Sequence, residues 1–173
     1  MTFTRLGRGD LLAMVAALAL LLVMATDWYS TKQGDQLRHD QGLVEPQYNR
    51  ADDPKVSTQL GEAADMQEKN AWQASALIDR LILIALVGTI VLALVAAWAR
   101  AADRNLGPPS PSALASLVGL VACAMLVYRI LQPPGLNAAA VVKPGAPLGL
   151  LCAGLLTIGA RVAARRPVIS SPP

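Results

Sequence analysis

The chain has 173 residues, 54% of them hydrophobic and 16% charged, with a net charge of +3 at neutral pH. Aromatic residues make up only 4%, so the apolar content is Leu, Ala, Val and Ile. These gather in continuous blocks, which excludes an ordinary soluble domain and points to lipid as the solvent, while the small, unclustered positive charge excludes a nucleic-acid-binding surface.

Residues 1–10 read as a short cytoplasmic lead containing Arg5 and Arg8, with Asp10 suited to the start of a helix. Residues 11–28 are the first predicted span, closed by Asp27, Trp28 and Tyr29. The same stretch also has the form of a secretory signal, two arginines and an apolar core ending in Val23-Met24-Ala25. Cleavage there would leave three spans. Residues 29–75 then form a polar external segment with too few large apolar groups for an independent core. Gly34, Gly42, Pro46 and Pro54 predict a loop with short helical turns in its first half. Residues 57–75 lack proline and read as a helix, with Ser57 as its cap and Asp65 paired to Lys69, running through Trp72 into the next span. Trp28, Tyr29 and Trp72 suit the headgroup level.

The second span is predicted over 76–99, a cytoplasmic loop over 100–112, the third span over 113–131, and an external loop over 132–144. The fourth span follows over 145–162, with a cytoplasmic tail over 163–173. A bilayer core of roughly 30 Å needs about 20 apolar helical residues; the first and fourth blocks are short for it. The expected fold is all-α, a four-helix transmembrane bundle with a polar, partly helical external loop between spans one and two. Arginines 5, 8, 100, 104, 161, 165 and 166 flank the ends assigned to the cytoplasm, and Lys143 alone marks the short external loop. The positive-inside bias therefore puts both termini in the cytoplasm of a bacterial plasma-membrane protein.

Small residues recur every four positions, at Ala85, Thr89, Ala93 and Ala97, at Ala115, Gly119 and Cys123, and at Gly145, Gly149 and Ala153. Such stripes let helices approach closely, and the short connections make consecutive spans antiparallel neighbours. Cys123 and Cys152 lie at similar depth and could be bridged, though two reduced packing residues are the favoured reading.

Charged residues at span ends are costly and tend to pair. Asp27, Asp79 and Arg129 fall at one level near the outer interface, and Asp79 and Arg80 cannot both face inward on one helix. Arg129 is expected to pair with Asp79, Asp27 or both, with Arg80 reaching outward. This cluster reads either as a structural clasp or as an ion or proton site open to the exterior; the absence of mid-depth carboxylates favours the clasp. His39 is the only histidine and lies in a solvated stretch. No HExxH, GxSxG or GxxxxGK[ST] occurs, and no cofactor or metal site is expected.

"TDWYS", "AWQASALIDRLILIALV" and "LVYRILQPPG" together resemble small four-span integral membrane proteins of high-GC Gram-positive bacteria. The resemblance covers the apolar parts of the chain, has no assigned activity, and implies topology, with Asp79 and Arg129 as shared features. The expected function is a non-enzymatic scaffold or partner-binding subunit, with the lipid bilayer and another envelope protein or a second copy as partners. The alternative is a small transporter or channel component using the outer Asp/Arg cluster.

Overall fold

The computed structural model describes residues 6–48, 55–72, 77–102, 104, 107, 109–132 and 140–165. Among these residues six helices and three short strands follow in the order α1 (Arg8–Met24), β1 (Asp27–Thr31), α2 (Lys32–Tyr48), α3 (Lys55–Asp65), β2 (Lys69–Asn70), α4 (Leu77–Ala101), α5 (Pro111–Leu131), β3 (Ala140–Val142) and α6 (Gly145–Ala164). The chain is mostly helical, but the all-α expectation misses a three-stranded sheet of order β2-β1-β3.

Among the described residues three helices are long and apolar enough to cross a membrane: α4, α5 and α6, with 25, 21 and 20 residues. Four such helices were expected. α1 has 17 residues, a rise of about 26 Å, and it stops at Met24 instead of continuing to Trp28. The Val23 carbonyl explains the stop. It accepts from the Thr26 amide at 3.1 Å, the Thr26 hydroxyl at 2.7 Å and the Trp28 indole at 2.9 Å, so the chain turns off the helix axis and enters β1.

α1 packs most extensively on α6, α6 on α5, and α5 on α4, while a smaller α4–α1 contact closes the ring. The packing faces are made of small residues. Gly9 and Ala13 of α1 meet Gly159 and Ala163 of α6 backbone to backbone: a Cβ built on Gly159 would lie 2.7 Å from the Ala13 nitrogen and 2.9 Å from the Gly9 oxygen. Between α5 and α6, Gly119 leaves room for Thr157 and for the Thr89 methyl of α4. Ala93, Ala97, Ala115, Gly119, Gly145, Gly149 and Ala153 of the expected stripes are buried. The Thr89 and Thr157 hydroxyls bond back to Ala85 and Ala153, each at 2.7 Å. Cys123 and Cys152 are free thiols.

The polar segment after α1 is more ordered than a loop with one helix. α2 forms across Gly34 and Gly42, and Pro46 falls in its last turn, so the helix bond that its missing amide forfeits is one at the helix end. At the other end, the Thr31 hydroxyl accepts from the Gly34 amide at 3.1 Å, satisfying a donor that a helix start leaves open. α3 ends at Asp65, not at 75. The predicted Asp65–Lys69 helical pair therefore does not form: Asp65 is taken by Arg38 at 2.6 Å and Lys69 belongs to β2. The Ser57 side chain, residues 133–139 of the expected external loop and the tail from 166 onward lie outside the described residues.

β1 is the central strand. Tyr29, Ser30 and Thr31 face Val142, Val141 and Ala140 across one edge, while Asp27 and Tyr29 face Asn70 and Lys69 across the other. Aromatic and β-branched side chains favour this extended stretch. Trp28, expected as an interfacial anchor, is only 2% exposed; its ring lies against Gly145 and Gly149 of α6, where any Cβ would collide with it. Trp72 is exposed.

Gly159→Ala should destabilise the protein by about 1–3 kcal/mol in detergent-solubilised thermal or denaturant unfolding, because backbone atoms of α1 must move. Gly154 of α6 has open space where a Cβ would go, so Gly154→Ala should be neutral or stabilising by up to about 1 kcal/mol.

Candidate functional site

Polar side chains gather at the two ends of the long helices and in the layer formed by the sheet, α2 and α3. At the sheet end, Arg129 in the last turn of α5 meets Asp79 in the first turn of α4. Its Nε donates to one carboxylate oxygen at 2.6 Å and its Nη2 to the other at 2.8 Å. This fork-on-fork geometry is the strongest form of the pair. Arg129 is 8% exposed, so the charges are shielded and depend on each other. The antiparallel run of α4 and α5 places the first turn of one beside the last turn of the other.

Asp27 is not part of this pair. α1 ends three residues earlier and β1 carries Asp27 into the sheet opposite Asn70. There its carboxyl lies above the ordinary range, through desolvation and then the neighbouring Glu68 charge and hydrogen bond. Of the three expected cluster residues, Asp79 and Arg129 meet and Asp27 goes elsewhere. Arg80 is exposed.

Tyr29 adds a group beside the pair that charge reasoning does not reveal. Its hydroxyl is buried and has no hydrogen-bond partner among the described residues. Burial pushes its pKa up to about 12, with Arg129 opposing the shift and Asp79 adding to it.

The far end holds a second pair that the sequence reading missed. Asp10, 4% exposed, accepts from Arg100 through one oxygen and from the Gly7 amide at 3.1 Å through the other. Arg100 also donates to the Ser112 hydroxyl at 2.6 Å and to the Ala163 carbonyl at 3.0 Å. One guanidinium thus links α1, α4, α5 and α6. In the sequence Asp10 reads as a helix-start acid and Arg100 as a topology signal. Counting depth along antiparallel helices, which finds Asp79 and Arg129, would have paired these two as well.

A third network ties the polar layer together. Arg38 of α2 donates to both oxygens of Glu68, at 3.1 and 2.5 Å, and to Asp65 at the end of α3. Lys143, just past β3, pairs with Asp35 at 2.5 Å and lies 3.8 Å from Glu68, and its backbone amide donates to the Trp28 carbonyl at 3.0 Å. Gln67 accepts from Thr31 at 2.8 Å. Glu68 is therefore the meeting point of α2, the segment after α3 and the segment after β3. Its carboxyl is held below the ordinary range, first by the Arg38 hydrogen bond and charge, then by Lys143 and Asp27.

Among the described residues no group of three His, Cys, Asp or Glu side chains is placed to hold a metal ion. The pairs at both helix ends consume their own charges, so what this arrangement does chemically is bind helix to helix.

Arg100→Ala should cost about 3–5 kcal/mol of unfolding stability, because Asp10 is left buried without a counter-charge, and Arg129→Ala should cost less than that, because the Asp79 side chain that it strands is 18% exposed. Unchanged melting profiles in detergent would refute both assignments. The polar layer should respond to pH in two steps of opposite sign. Asp27 has a raised folded pKa, so its contribution is lost as pH rises through that value. Glu68 has a depressed one, so its contribution is complete above its ordinary 4.5 and lost as pH falls through the depressed value. Hydrogen exchange in α3 and β2, corrected for intrinsic rates, should be slowest in the mildly acidic window between them. Glu68→Gln should abolish the acid-side loss. Compared with protein-family models, curated proteins and solved structures, the chain matches none.

Proposed function

We propose that the chain is a multi-pass integral membrane protein with four membrane-crossing helices, in which α1 is a short fourth span beside α4, α5 and α6. The observation that carries this reading is the sorting of side chains by size. The faces turned inward are rich in alanine and glycine, with Leu20, Leu86, Leu126 and Leu156 among them, while a larger set of big aliphatic groups faces outward: Leu11, Val15, Leu18 and Leu22 of α1, Ile84 and Val91 of α4, Leu117 and Leu120 of α5, and Leu151 and Ile158 of α6 are exposed. A water-soluble bundle would bury those large aliphatic groups. In lipid there is no gain in hiding them, and small residues at the contacts give the closest packing. α1 carries the same outward stripe as the three longer helices, and thinning of the bilayer or flanking residues accommodate its length.

Arg8, Arg100, Arg104, Arg161 and Arg165 lie at or just beyond the far ends of the long helices, and Arg104 stacks 5.5 Å over the Trp98 ring. This bias supports a far end in the cytoplasm of a bacterial plasma membrane, with both termini there and the sheet, α2 and α3 forming an external cap. Kinship with small four-span proteins of high-GC Gram-positive bacteria belongs to the same proposal.

Within that setting the protein is a non-enzymatic scaffold or partner-binding subunit. The charge pairs at both ends are closed, and the layer between them is filled by Leu20, Leu86, Leu126 and Leu156 around the Thr89–Gly119–Thr157 contact. A transporter would instead need a polar group left open along the path. The cap, with Met66 82% exposed, is the surface for another envelope protein or a second copy. A photo-crosslinking side chain at Met66, activated in native membranes, should give a discrete protein adduct, and a tag at either terminus should be unreachable from outside intact cells. Proton or solute flux through proteoliposomes, lost in Asp79→Asn, would favour the transporter and overturn the scaffold.

A further inference from the structure

Along the outward side of α4 and α5 runs a groove of about 610 Å³. Its lining is apolar and includes Leu81, Ile84, Gly88 and Leu92 of α4 and Val118 and Met125 of α5. At Gly88 the wall recedes, for a Cβ there would meet no heavy atom within 4 Å. From Leu81 to Leu92 the helix rises about 17 Å. Half of a bilayer's hydrocarbon core is about 15 Å. The groove therefore has the length of one leaflet and begins at the sheet end, where Asp79 and Arg129 meet. A helix from a second copy would call for a surface of the full thickness, whereas a single acyl chain needs half.

Charge at the mouth of the groove narrows the occupant further. Arg80 is exposed and has no hydrogen bond or ion pair among the described residues. Arg80, Ile84 and Gly88 follow one another at intervals of four, so they lie one above another on a single helix face. The neighbouring Asp79 does not cancel this cation, because Arg129 already occupies both of its oxygens. A guanidinium at this level can reach up to a phosphate and grip it in a forked geometry.

We propose that this groove is a binding site for an anionic glycerophospholipid of the outer leaflet, with one acyl chain lying along Leu81–Leu92 and the phosphate engaged by Arg80. The site rests on the membrane reading above. It gives the protein a preference for lipid class that the packing of its helices does not require.

Native mass spectrometry of the full chain in detergent, titrated with phosphatidylglycerol and separately with phosphatidylcholine of the same acyl chains, tests the site. The intact protein should bind one phosphatidylglycerol about fivefold more tightly than phosphatidylcholine, the effect of one arginine at an anionic surface. Arg80→Gln should bring the ratio to about one. Gly88→Leu puts a side chain into the groove at a position where a Cβ meets no heavy atom within 4 Å and should remove the tight site for both lipids. Gly154→Leu, at the equally open position on α6, should bind like the unaltered protein. A charge preference that survives Arg80→Gln, lipid binding unaffected by Gly88→Leu, or a dimer that Gly88→Leu dissociates would each overturn the site. Lipid uptake with no preference between the two classes would overturn the site alone. A chain that stays monodisperse after detergent removal and takes up neither lipid would overturn the membrane reading together with it.

Discussion

Close approach of backbones is the constraint on which the rest of this structure depends. At its tightest, the contact of α1 with α6 sets Gly9 and Ala13 against Gly159 and Ala163, groups no larger than a methyl. Burying an alanine removes little apolar area from water, so such a contact gains little from the hydrophobic effect. What it gains is proximity: many atoms at optimal separation, each adding a small dispersion term. That gain disappears if either surface carries a larger side chain. The same constraint explains the seat of Trp28. A ring of that size lies against α6 because positions 145 and 149 lack side chains, and its indole nitrogen donates to the Val23 carbonyl near the end of α1.

Dispersion contacts of this kind are weakly directional and would tolerate sliding of one helix along another. The charged pairs remove that freedom. Arg100 fixes the four long helices at one end through Asp10, Ser112 and the Ala163 carbonyl. Arg129 and Asp79 fix α4 against α5 at the other end. Each pair sits within a turn of a helix terminus, where desolvation costs less than at mid-length and where misalignment by one turn would break it. The middle of the ring, by contrast, contains hydroxyls that bond back to their own helices, with one long contact across helices, from Thr157 to the Cys123 sulfur at 4.0 Å. Small residues therefore set the spacing between helices, and charges at the ends set their register.

Continuous apolar runs made the long helices readable: α4, α5 and α6 begin within two residues of the expected span starts. The Arg129–Asp79 pair was readable for a related reason, since antiparallel neighbours bring equal depths together. Asp27 was misplaced because depth counting assumed a helix running to Trp28, while the hydrogen bonds at Val23 end it at Met24. The sheet left little local trace. Its strands have five, two and three residues, and β1 finds partners some 40 and 110 positions further on. α2 runs against its own glycines and proline and is held by contacts to α3 and β1, which local propensity does not contain. Arg38 and Glu68 looked like scattered solvated charges, since nothing in their spacing shows that Lys143 arrives from the far side of two apolar helices.

The placement of β1 in the middle of its sheet has a consequence for biosynthesis. Residues 27–31 leave the ribosome about 110 residues before 140–142, which supply one of their two neighbouring strands. During that interval Tyr29–Thr31 expose an unpaired strand edge, the kind of surface that attracts other extended chains. Lys143, arriving last, brings both a backbone donor for Trp28 and a cation for Asp35. Completion of this layer thus reports that the α5–α6 hairpin has been delivered, and a polypeptide truncated before Ala140 would keep its adhesive edge open.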